Sequence, residues 1–222
     1  MFGIILTIIA FEIGVSIRNK WRNPILNPIL IATILIIGFL TITGIEYETY
    51  KVGGDYISFF LGPVTVLLAV PLYRHIQALK KNWVPILLGI CVGSASSVLC
   101  VIACAKIFNL SKTLMLSLLP KSITIPMGSV FSEQIGGIPS VTIVAIVITG
   151  ITGAVTAPLV CRFFRIKNPV AQGVAIGTSS HALGTTKAME IGEVQGAMSS
   201  LSIGVAGVIT IFITPVLLKI FG

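Results

Sequence analysis

Apolar residues run along this chain in long stretches separated by short polar or basic breaks. They show no two-residue alternation of a half-buried or barrel-forming strand. The stretches cover 2–17, 24–43, 57–73, 84–105, 138–160 and 198–220. Each is about as long as a helix needs to cross a bilayer. Two further stretches, 113–137 and 169–196, have apolar flanks but polar, helix-breaking centres. The pattern predicts an all-α polytopic membrane protein with about six full transmembrane helices plus two interrupted or re-entrant segments. Residues 1–83 read as N-terminal scaffold helices, and 84–222 as a core that holds both interrupted segments.

The breaks between stretches predict which ends share a side. Arg18, Lys20 and Arg22 follow the first span, Arg74, Lys80 and Lys81 precede the fourth, and Arg162, Arg165 and Lys167 follow the fifth. Cytoplasmic loops carry such excess lysine and arginine. The net-acidic, tyrosine-rich stretch 44–55 is then expected outside. With these assignments 113–137 must leave and return on the outside, and 169–196 must leave and return on the inside. At an offset of 56 residues Thr124 meets Ser180, Met127-Gly128-Ser129 meets Leu183-Gly184-Thr185, and Ile135-Gly136 meets Ile191-Gly192. Opposite sides plus internal likeness predict an inverted repeat, 84–137 against 138–193. Secondary transporters use this architecture, with broken helices meeting near mid-membrane.

Composition narrows the function class. Of 222 residues, 55% are hydrophobic and 10% charged, and the mean hydropathy is +1.04. No soluble domain of useful size fits between the spans. The formal charge of +8 is dispersed in loop clusters, which suits orientation in the membrane better than nucleic-acid binding. Cys91, Cys100, Cys104 and Cys161 lie in or beside apolar segments and are expected to be buried thiols, with no metal or cofactor implied. Gly93, Ser94, Ala95, Ser96 and Ser97 are expected to serve close helix packing.

The chemistry sits in the two interruptions. Lys121, Ser122 and Thr124 occupy the first; Thr178, Ser179, Ser180, His181 and Thr185 occupy the second. Hydroxyls, a lysine and the free N–H groups of half-helix N-termini suit a small carboxylate. His181 could carry a coupling proton, since imidazole changes charge near neutral pH. Lys187 is expected to pair with Glu190 rather than with a ligand. Ser179, Ser180 and His181 are chain neighbours with no carboxylate set to orient the ring, so no enzyme is read here.

Several strings resemble the LrgB/CidB family. They are Leu119-Pro120-Lys121-Ser122-Ile123-Thr124-Ile125-Pro126, Ile135-Gly136-Gly137-Ile138-Pro139, Gly177-Thr178-Ser179-Ser180-His181-Ala182-Leu183-Gly184-Thr185, Asn27-Pro28-Ile29-Leu30 and Ala69-Val70-Pro71-Leu72-Tyr73. The usual run at the first break reads Pro-Lys-Ser-Val-Thr-Thr-Pro-Ile-Ala; here Ile125 replaces the second Thr, and Met127-Gly128 replaces Ile-Ala. The resemblance implies one of two activities. One is an antiholin-like regulator of murein hydrolase activity and autolysis, partnered by a small LrgA/CidA-like membrane protein. The other is a carrier of small monocarboxylates such as pyruvate, glycolate or lactate, as in the similar half of the plastidic glycolate/glycerate translocator. Either implies a multi-pass protein of the bacterial cytoplasmic (inner) membrane, and a homo-oligomer is expected.

Overall fold

The computed structural model describes residues 2–21, 26, 28–60, 63, 69–74 and 76–221, and among them every regular element is a helix. Chain contacts divide it into two compact units, 1–67 and 68–222.

In the first unit, helix α1 (Phe2–Trp21) packs against α2 (Pro28–Thr43) and α3 (Tyr47–Phe59). Helix α3 adds an element to the sequence reading, which assigned the polar stretch 44–55 to the outside and placed no helix there. Glu48 in its first turn and the Glu48–Lys51 pair at i,i+3 (3.5 Å) support the helix locally. Tyr50 ties it to α1 through its hydroxyl, 2.9 Å from Thr7 Oγ1. Of the span expected at 57–73, its start belongs to the end of α3 and residues 69–73 lie in a short helix of the second unit, while 61, 62 and 64–68 lie outside the described residues.

The second unit contains α4 (Ala69–Arg74), α5 (Ile76–Ile107), α6 (Lys112–Leu118), α7 (Ile125–Gln134), α8 (Pro139–Phe163), α9 (Pro169–Ile191) and α10 (Glu193–Phe221). Among the described residues α1, 80–107 of α5, α8 and α10 are long and apolar enough to cross a membrane. The outer faces of α8 and α10 are apolar as well: Val144, Leu159, Phe212 and Val216 are each more than half exposed. Water would not tolerate that much contiguous apolar surface, whereas lipid requires it.

Both interrupted segments fold back on themselves. Residues 117 and 138 would stand about 30 Å apart in an unbroken helix. Instead Ser117 Oγ accepts the Ile138 N–H at 2.7 Å, and Thr142 Oγ1 donates to Ser117 O (2.8 Å) and lies 2.6 Å from Ser132 Oγ. Helices α6 and α7 are therefore the arms of a hairpin whose turn is 119–124. In α9 the reversal falls at His181 (φ 42°, ψ −138°). A side chain at Gly184 would meet Ile176 O at 3.3 Å, where a straight helix would separate those positions by about 12 Å. The arms 169–180 and 182–191 thus run antiparallel.

Helix α8 shows how the hairpins are set. The first sits beside its N-terminal end, at Ile138 and Thr142. The second has its base at the other end, where Gln172 Nε2 donates to Ile166 O (2.7 Å). The tips meet between, around Ile146: a Cβ on Gly128 would touch Ile146 Cδ1 at 2.5 Å, and His181 Nε2 lies 2.8 Å from Ile146 O. The two hairpins therefore enter from opposite ends of α8.

The helix ends repeat too. Helix α5 closes with Asn109 left-handed (φ 50°) and Leu110 N–H bonded to Ala105 O. Helix α8 closes with Arg165 left-handed (φ 53°) and Ile166 N–H bonded to Cys161 O. These are the same C-cap, 56 residues apart, so the 56-residue offset read in the sequence is matched in backbone geometry. Helix α10 packs along the pair, joining Ile86, Ile90, Val174 and Met198 in one apolar cluster and meeting Val98, Ile102, Met115 and Leu119 in another through Ile213 and Leu217.

Candidate functional site

Helices α5 and α8 run antiparallel and, with the first arm of α9, enclose a cavity of about 1000 Å³. Lys121 and Ser122 form its inner end; Asn82, Ile166 and Asn168 line its outer end. It therefore reaches from the hairpin tips to the end of the molecule where Arg162, Arg165 and Lys167 lie. Pro85, Ile86, Val92, Ile148 and Val160 make much of its wall apolar.

Pro120 and Pro126 frame the first tip, and proline ends helices because it lacks an N–H and restricts the residue before it. The break leaves Lys121 free to turn inward. Its Nζ lies 3.2 Å from both Ser97 Oγ and Ser122 Oγ, and those two hydroxyls are 2.9 Å from each other. Among the described residues Lys121 forms no ion pair. The inner end thus offers a cation and two hydroxyls without a carboxylate to neutralise them.

The α9 side has the opposite character. Thr178, Ser179 and Ser180 lie in the last turn of its first arm, at the carbonyl end of the helix dipole. Thr178 Oγ1 donates to Val174 O (2.7 Å) and Ser179 Oγ to Ile176 O (3.3 Å), with Ser180 Oγ 2.9 Å from Ser179 Oγ, so each of Thr178 and Ser179 keeps a lone pair for a ligand's donor. Helix α5 sets the spacing between the two sides. Ser97 touches Lys121, while Gly93, one turn earlier, faces Thr178 Cγ2, which a Cβ there would meet at 2.8 Å. The donor pole and the acceptor pole are therefore about 6 Å apart along α5.

Of the residues singled out in the sequence, Lys121, Ser122, Thr178, Ser179 and Ser180 come together at this cavity. Thr124, His181 and Thr185 do not line it. Thr124 is the N-cap residue of α7. Thr185 Oγ1 bonds His181 O (3.0 Å) and lies 2.7 Å from Ser199 Oγ. His181 is buried, and its Nε2–H donates to Ile146 O, which ties one tip to α8. Lys187 pairs with Glu190 at 2.8 Å, as its i,i+3 spacing implied. Ser96, Ser97, Thr149, Thr152 and Thr156 were missed as wall residues. Cys100 is a correction: it is exposed and lines the cavity; Cys161 also borders the cavity but is buried, as expected.

The placement of His181 carries an expectation about folding. His181→Ala keeps a side chain in a left-handed backbone and loses the ring's bond to the Ile146 carbonyl, at about 1 kcal/mol for that bond. His181→Gly loses the bond but relieves the backbone. Thermal unfolding in detergent is expected to rank wild type above His181→Gly above His181→Ala, the last two differing by about 1 kcal/mol. Equal melting of the two variants would remove the strain argument.

The sequence model of the LrgB-like family matches residues 7–220. The proteins called antiholin-like protein LrgB from Bacillus cereus and Bacillus anthracis are each 39% identical to the chain over 222 residues, covering 100% of this chain and 96% of the relative. No solved structure matches it.

Proposed function

This chain belongs to the LrgB-like family, and from that premise we propose that it is a carrier for small monocarboxylates in the bacterial cytoplasmic membrane. The observation that carries this reading is the meeting of two oppositely inserted hairpin tips beside a cavity headed by Lys121. Irregular backbone at mid-membrane is stable only where protein or water satisfies it, and carriers place their binding sites at such breaks. The carboxylate would take Lys121, Ser97 and Ser122. A hydroxyl on the same substrate would donate to Thr178 or Ser179, the two poles being about 6 Å apart along α5. Glycolate and lactate fit both poles; pyruvate, with a carbonyl in place of the hydroxyl, fits one. On this reading the substrate crosses chemically unchanged, with an LrgA-like subunit as partner and self-association in the membrane.

A second reading has its own support in the names of the relatives, which describe antiholin-like proteins. On that reading the chain regulates murein hydrolase activity and autolysis without transporting anything. One experiment separates them. Proteoliposomes with and without an LrgA-like subunit are assayed for uptake of labelled lactate, glycolate and pyruvate. Parallel samples measure how fast Cys100, which the cavity exposes, reacts with a membrane-impermeant thiol reagent. Saturable uptake, with Cys100 labelling slowed several-fold by lactate or glycolate and less by pyruvate, is the expected result. No uptake and no protection in folded protein would leave the regulatory reading standing.

A further inference from the structure

A second, smaller cleft of about 470 Å³ lies at the end of α8 and is separate in purpose from the cavity above. Arg162, Arg165 and Lys167 all line it, together with Gln172 and Ile191. Among the described residues none of the three cations forms an ion pair or a side-chain hydrogen bond. Gln172 is fixed on two sides, donating to Ile166 O and accepting from Gln195 Nε2 (3.0 Å). The cleft therefore has a braced floor and a rim of three positive charges with nothing to neutralise them.

Its height in the membrane follows from α8. The cleft begins where that apolar span ends, and Phe163 and Phe164, 80% and 66% exposed, stack edge to face beside it. This is the level of lipid headgroups. Arg165 adds a second line of argument. It holds the left-handed C-cap position that glycine usually fills and asparagine tolerates. The matching cap of α5 uses Asn109. An arginine at this position works against the local backbone, and strain kept in place points to a use for the side chain.

We infer that the cleft formed by Arg162, Arg165, Lys167 and Gln172 is a binding site for the phosphate headgroup of an anionic phospholipid. The three cations surround the phosphate, the Gln172 amide borders it, and the acyl chains lie against the apolar outer face of α8. Basic clefts between helices at the membrane surface take anionic headgroups in this way, with each cation contributing about a fivefold gain in affinity.

The test uses the full chain in neutral detergent, with binding and melting temperature measured against added phosphatidylglycerol, phosphatidylcholine and free glycerol phosphate. Phosphatidylglycerol is expected to bind and to raise the melting temperature; the other two are not. Combining Arg162→Gln, Arg165→Gln and Lys167→Gln should weaken that binding about 100-fold. Lys80→Gln with Lys81→Gln, which removes exposed cations that do not line the cleft, should leave it unchanged. Arg165→Gly keeps the protein testable if the triple variant fails to fold. It should weaken lipid binding about fivefold while raising the melting temperature without lipid, because glycine relieves the cap. Equal binding of the two lipids, glycerol phosphate binding as tightly as the lipid, or undiminished binding by both cleft variants would each overturn the site.

Discussion

Replacing Lys121 with methionine is expected to lower the initial rate of monocarboxylate uptake about 100-fold, equivalent to about 2.8 kcal/mol. Methionine keeps the length of the stem and its packing but removes the cation that faces Ser97 and Ser122. A carboxylate brought to that end would then lose its water without gaining a counter-charge, and hydrogen bonds to charged groups are the strongest available there. Lys121→Arg, which keeps the charge on a bulkier head, is expected to retain more uptake than Lys121→Met. Ser97→Ala should cost about fivefold, since a single neutral hydroxyl contributes about 1 kcal/mol. Uptake is compared at equal amounts of protein recovered from size-exclusion chromatography. A Lys121→Met protein that transports like wild type would remove Lys121 from the site and with it the main support for a carrier.

Gly177→Ala is expected to destabilise the fold by about 1–3 kcal/mol, enough to cut the yield of monodisperse protein several-fold. The first arm of α9 crosses α10 here with no room for a methyl group. A Cβ at Gly177 would press on Ser199 O and come within 2.8 Å of Ser199 Cα, both backbone atoms that cannot rotate away. Gly173, one turn earlier, meets Gln195 O at 2.5 Å in the same sense, so the pair acts as the small-residue contact of a membrane helix crossing. Ser199 is also joined to Thr185 on the second arm, so a shift there would disturb both arms of the hairpin. Gly204→Ala is the comparison: a Cβ there meets nothing within 4 Å, and helix propensity alone should make it neutral to slightly stabilising. Equal melting temperatures for the two variants would show that α9 and α10 are looser than their spacing implies.

Which features were legible in the sequence follows from how each residue announces itself. The hairpins were legible because prolines, glycines and hydroxyls interrupt otherwise apolar runs, and because loop charges forced both segments to return to the side they left. The wall residues were not. A serine or threonine inside a membrane helix commonly satisfies itself on the carbonyl four residues back, as Ser96 does with Val92 O (2.7 Å), so Ser97 and Thr152 carry no distinguishing mark. The reversal at His181 has no proline at the turn, and nothing in the string shows that its ring faces Ile146 rather than the cavity. Helix α3 was missed for another reason. Its polar, acidic composition gives a weak periodic signal, and the Tyr50–Thr7 contact that secures it is 43 residues away in sequence.

The matching caps at Asn109 and Arg165 have a consequence for motion as well as for lineage. Two copies of one design, α5 to α7 and α8 to α9, stand head to tail in the same body. In the present arrangement the opening lies at the arginine-rich end of α8. If each copy took up the other's shape, the same helices and loops would close that doorway and unlatch one at the opposite end, beside Lys106 and Lys112. On the carrier reading, that exchange of shapes would supply the second posture that alternating access requires.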